Sequence, residues 1–164
     1  MKLHTSLRIG AAALMVAALP LSASAQFAKK EDAIKYRQSA FELMGNHMTR
    51  IGAVTRGDAA FSAAEVQKSA ALIATLSTLP WEAFGPGTEG GKAKPAIWKE
   101  GDKFKAGADK LMKAAADLNA AAKSGNLDQI KKAFGATGQT CKACHDSYKD
   151  KYKFQVELGT YYDD

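Results

Sequence analysis

Cys141-Lys142-Ala143-Cys144-His145 is the stretch on which the reading of the chain turns. Two thiols three residues apart, with an imidazole on the next residue, have the spacing of a c-type haem attachment site. On a helix, Cys141 and Cys144 point to one side, where each can form a thioether with a haem vinyl group, and His145 lies one turn from Cys141. The imidazole would then be the proximal ligand of the iron, and the second axial position decides what the iron can do. The residues around the motif decide the fold. Leu127, Phe134, Cys141 and Tyr148 recur every seven residues, with Ile130, Thr137 and Cys144 beside them, so the cysteine pair falls within the apolar seam of a helix starting near Asn126. The cofactor becomes part of a helical core. Other uses of the pair fail on the rest of the sequence. Structural zinc needs four ligands, and outside the motif there is no cysteine and only His4 and His47. A thioredoxin-like redox pair belongs beside a strand in a βαβ pattern, which is absent here.

Working back from that helix, a third one is expected from about Asp102 to Lys123. Phe104, Leu111 and Leu118 form one row, Ala108, Ala115 and Ala122 the next, and Gly125 is its stop. Residues 80–96 change character. They hold Pro80, Pro86 and Pro95 with Gly85, Gly87, Gly90 and Gly91, and read as one long crossover loop. Trp81 and Phe84 argue that it is ordered against the bundle, touching haem or capping the core. A second helix opens with the capping box Ser62-Ala63-Ala64-Glu65, carries Val66, Ala70, Ile73 and Leu76 on one face, and stops near Leu79 before Pro80. The first helix runs from Lys30 to about Val54, with Ile34, Phe41 and Met48 in one row and Arg37, Met44 and Ile51 in the other. Arg37 is the anomaly, a permanent cation in an apolar seam. Either an anion such as a haem propionate meets it, or it snorkels to the surface. Lys149, one turn beyond His145, either brings a cation to the proximal side of the iron or is solvated.

The chain has 164 residues, 46% hydrophobic, enough for one ordinary core. Lys2 and Arg8, the apolar run Ile9 to Leu19 and the small residues Ala23-Ser24-Ala25 read as an export signal cleaved after Ala25. The run is too short to span a bilayer. Residues 1–25 are thus expected to be a cleaved signal peptide, 26–150 the haem-binding bundle, and 151–164 a C-terminal extension of unassigned role. Tyr152, Phe154, Val156 and Leu158 alternate with polar residues in that extension, which suits an extended segment. Export places the protein in the periplasm. Cleavage removes Lys2 and Arg8 and no acid, so the formal charge falls from +6 to +4. Basic and acidic residues alternate along the helices, which does not make the concentrated basic face of a nucleic-acid-binding protein.

Four helices, a long crossover between the second and third, and Cys-x-x-Cys-His in the last resemble the cytochrome c′ family, the class II c-type cytochromes, built as antiparallel four-helix bundles. The resemblance includes Tyr36-Arg37-Gln38, Leu79-Pro80-Trp81 and the run from Phe84 to Gly91, and it covers the chain up to Lys149. It implies one covalent haem c on Cys141 and Cys144, with His145 as axial iron ligand. It also implies Arg37 and Gln38 near the propionates, with Thr88 and Glu89 beside them, Phe41 as the distal pocket residue with Met44 in the same pocket, and Lys149 as a base beside the proximal histidine. Homodimers made by the first two helices are a further implication. The extension after Asp150 departs from the family pattern.

Three functions compete. A five-coordinate iron would bind nitric oxide and carbon monoxide, with one-electron redox activity and a role in nitric oxide tolerance implied by the resemblance. A low-spin electron carrier needs a sixth protein ligand. No methionine follows His145, which leaves Met44 on the first helix, although a methionine on an apolar stripe is more often core. An enzyme such as a peroxidase needs polar acid–base groups, and the seam around Phe41 is apolar. The expectation is therefore a gas-binding haem protein, not an enzyme, whose redox partner the residues do not name.

Overall fold

The computed structural model describes residues 27–150, so the segment expected to be a signal peptide and the extension after Asp150 lie outside the described residues. Helix α1 spans Lys30–Arg56, α2 Ala63–Leu76, α3 Ala96–Lys99, α4 Gly101–Ser124 and α5 Leu127–Tyr148, with a 3-10 turn at Pro80–Phe84. The four long helices form the bundle. Strong local signals set their ends. Glu31 and Asp32 occupy the positive end of α1, which closes on Gly57 at φ 84°. Ser62 Oγ accepts from the Glu65 N–H at 3.5 Å at the start of α2. Gly125, at φ 67°, ends α4, and Asn126 Oδ1 accepts from the N–H groups of Asp128 and Gln129 to start α5. Helix α2 ends at Leu76, earlier than Leu79, because Ser77 to Leu79 turn the chain so that Pro80 can open the 3-10 turn.

The core lies among α1, α2, α4 and α5. Ile51, Ile73, Leu118 and Ile130 are fully buried, each stabilising by roughly 1.5–3 kcal/mol relative to exposure. Alanines 70, 115 and 122 let the backbones come close. The two rows of α1 behave differently. Arg37, Met44 and Ile51 are buried, whereas Ile34, Phe41 and Met48 are only half-buried. Helices α1 and α5 meet where Gly52 lies under the Phe134 ring; a Cβ there would stand 3.2 Å from it. Towards Phe41 and Cys141 the same two helices bound a cavity instead.

The crossover is ordered and structured. Trp81 meets Phe41 edge-on at 5.8 Å and Phe104 at 5.7 Å, and Phe84 meets Phe104 at 4.9 Å, which fastens the 3-10 turn to α1 and α4. Farther along, the chain runs antiparallel to the end of α5 for one bridge, Ala93 opposite Lys149, with the Lys94 N–H donating to Tyr148 O and the Asp150 N–H to Lys92 O, both at 2.9 Å. Lys149 itself leaves α5 in extended backbone; the alternation read from Tyr152 to Leu158 lies outside the described residues.

Candidate functional site

The cavity between α1, α5 and the crossover has a volume of about 760 Å³, within the range of about 300–1,000 Å³ usual for cofactor and ligand sites. Helix α5 contributes Gly138, Cys141, Cys144, His145 and Tyr148 to its wall. From α1 come Arg37, Gln38, Phe41, Met44 and Met48; from the crossover Trp81, Phe84, Lys92 and Ala93; and from α4 Phe104 and Leu111. The spacing of the motif therefore does what helix geometry requires: both thiols and the imidazole reach one space. A flat apolar cofactor with an iron at its centre suits this lining. Aromatic and aliphatic groups dominate the wall, two thiols and an imidazole stand on one helix, and cations lie near by. A second feature favours that fit. A Cβ on Gly107 of α4 would stand 2.9 Å from Cys144 Sγ, so only glycine leaves room for the sulfur.

Burial pushes the thiols of Cys141 and Cys144 up from their ordinary value, which keeps them neutral before they react. The His145 imidazole is pulled down, first by desolvation, then by the nearby Lys149 cation, with Asp146 opposing. A neutral imidazole is the form that binds metal. Lys149 is thus brought to His145, as its spacing suggested, and also lines the cavity.

Arg37 is only 3% exposed, so it does not snorkel. Its Nη1 donates to Ala83 O at 2.6 Å and Thr88 O at 2.9 Å, its Nη2 donates to Gly90 O at 2.9 Å, and the guanidinium lies 4.4 Å from the centre of the Phe84 ring. Burial lowers its pKa and the Glu89 carboxylate raises it, but a guanidinium remains charged throughout. The demand for a counter-anion, read from the seam, is met in part by carbonyls of the crossover. Thr88 and Glu89 stand off the cavity wall. Thr88 accepts weakly from Arg37 at 3.4 Å and donates to Gly85 O, and Glu89 accepts from the Gly87 N–H at 3.3 Å. Both build the loop that Arg37 grips. Gln38 does line the cavity, and its amide lies against Gly91.

His47 faces Ser69 of α2 at 3.4 Å and is absent from the wall. Met44 is both core and wall, and Met48 joins it there although it is two turns from Phe41. Glu42, exposed, also borders the cavity, as do Lys92 and Ala93. Glu42, Lys92 and Ala93 do not stand out by period, because the sequence shows a helical row but not how far a cavity opens beside it. Gly107 is visible in the sequence as a glycine inside a helical stretch, but nothing there sets it opposite a cysteine.

The cytochrome C′ family profile matches residues 32–149. Cytochrome c′ of Rubrivivax gelatinosus is 51% identical over 129 residues, covering 77% of this chain and 100% of that protein. That of Alcaligenes xylosoxydans xylosoxydans is 49% identical over 126 residues, covering 77% and 99%. The crystal structure of the Rubrivivax gelatinosus protein superposes with a TM-score of 0.74 over 76% of this chain and all of that one. A nitric oxide complex of a mutant of the Alcaligenes xylosoxidans protein, 48% identical, gives a TM-score of 0.75 over 77% of this chain and 99% of that one. The likeness spans the whole bundle and includes the helix with both cysteines, and the chain belongs to the cytochrome c′ family, whose cofactor is haem c.

Proposed function

We propose that this chain is a five-coordinate c-type haem protein that takes up nitric oxide and carbon monoxide in the periplasm and exchanges single electrons there. The haem supplies an iron that changes oxidation state and accepts a small ligand. The residues of the chain do the rest. Cys141 and Cys144 would hold the cofactor by thioethers and His145 would ligate its iron, with the Lys149 cation beside the imidazole. Arg37 and Gln38 are the groups nearest in chemistry to the propionates: Arg37 spends three of its five N–H groups on carbonyls, which leaves donors for an anion.

The observation that carries the reading is the α1 wall of the cavity, where Phe41 stands and the only histidine of α1 is turned to Ser69. An aromatic ring excludes water and offers iron no lone pair. The nitric oxide complex of the Alcaligenes xylosoxidans relative supports the same chemistry here. Uptake of nitric oxide would serve tolerance of the gas, a binding role rather than an enzymatic one. The reading includes cleavage after Ala25 and pairing of two chains through α1 and α2, where Leu43 and Leu72 are exposed.

Met44 and Met48 on the same wall favour a second reading, a low-spin electron carrier with Met44 as sixth ligand. Titration of the ferrous protein with nitric oxide separates the two. Uptake of one equivalent per chain, unchanged in Met44→Leu, is expected. A wild type that takes up none until Met44 is replaced would establish the electron carrier.

A further inference from the structure

Helix α5 carries His145 in its last turn and ends without a glycine: Lys149 leaves in extended backbone, φ −102° and ψ 131°. The last four carbonyls of a helix have no donor within it. Of these, His145 O accepts from the Lys149 N–H at 3.0 Å. Two of the remaining three are satisfied by one residue from far along the chain. The Lys94 N–H donates to Tyr148 O at 2.9 Å, and Lys94 Nζ donates to Asp146 O at 3.2 Å, which also sets a cation at the negative end of the helix. The segment that delivers Lys94 is itself seated. Arg37 grips the carbonyls of Ala83, Thr88 and Gly90, and Gly91, at φ 60°, packs so closely on α1 that a Cβ would stand 2.9 Å from Ile34 Cγ2.

We propose that Lys94 is a positioning residue for His145: by capping two carbonyls of the last turn of α5 it holds the backbone that carries the imidazole, and with it the direction in which the imidazole meets the iron. The chain of contacts runs from Arg37 through the crossover to Lys94 and the end of α5, so the α1 and α5 walls of the cavity are tied across it. The proposal rests on the reading of His145 as iron ligand. Without the cap, the last turn frays and the imidazole samples several orientations.

The test is resonance Raman spectroscopy of the ferrous holoprotein, read at the iron–histidine stretching band, together with amide exchange of residues 145–149. Lys94→Met removes the ammonium alone and Lys94→Pro both the ammonium and the N–H, so the step from the Met to the Pro variant reads the N–H. Each should broaden the band, move it to lower frequency and speed exchange of those amides roughly tenfold. Lys94→Arg, which still reaches Asp146 O, should resemble the wild type. An unchanged band in both Met and Pro variants would overturn the proposal, as would an equal change in the Arg variant. A wild type with no iron–histidine band would instead overturn the assignment of His145.

Discussion

Arg37 joins two tasks in one side chain. Its guanidinium is buried with three carbonyls of the crossover as partners, and it lines the haem cavity. Arg37→Leu would strand those carbonyls in a dry setting, at a cost on the order of 3 kcal/mol measured by urea unfolding. A shift of the haem reduction potential in the same variant would assign it a propionate as well; loss of stability alone would confine it to the loop. Phe41 is the other residue whose effect can be stated. Phe41→Ala gives up the edge-on contact with Trp81, about 1 kcal/mol of stability, and opens the α1 wall. Carbon monoxide affinity should rise about tenfold, equivalent to about 1.4 kcal/mol, in a competition titration. At this scale the sequence was partly legible. A cation in an apolar row marks Arg37 as special whatever its partner, but a carbonyl carries no side-chain signature, so the grip on residues 83–90 could not be read.

Among the elements, α4 and α5 are fitted to each other around one sulfur. Gly107→Ala gains helix propensity of about 1 kcal/mol yet sets a methyl 2.9 Å from Cys144 Sγ. The clash should win, lowering the fraction of purified chain that carries haem, as read from the ratio of haem to protein absorbance. Gly101→Ala, on the same helix with nothing within 4 Å of its Cβ, is the control and should load fully. Helix ends were the most legible feature, since Ser62, Gly125 and Asn126 act through neighbours two or three residues away. The crossover was legible only as a loop. Its bridge to Lys149 joins residues more than fifty apart, and the pattern of prolines and glycines does not encode such a partner.

For the whole molecule, the cavity is a product of the bundle: close contact of α1 and α5 at Gly52 and Phe134, separation at Phe41 and Cys141, and a crossover that ties the open end. Among the described residues no helix is long and apolar enough to cross a membrane. The cavity lies between two walls, one bearing Cys141, Cys144 and His145 and the other the Phe41 ring. The central claim is that no side chain of the chain itself occupies the sixth position of the iron. The absorption spectrum of the purified ferrous protein, recorded before and after addition of carbon monoxide, tests it most directly. A high-spin, five-coordinate spectrum that converts to a carbon monoxide complex is expected; a low-spin, six-coordinate spectrum unmoved by carbon monoxide would contradict it.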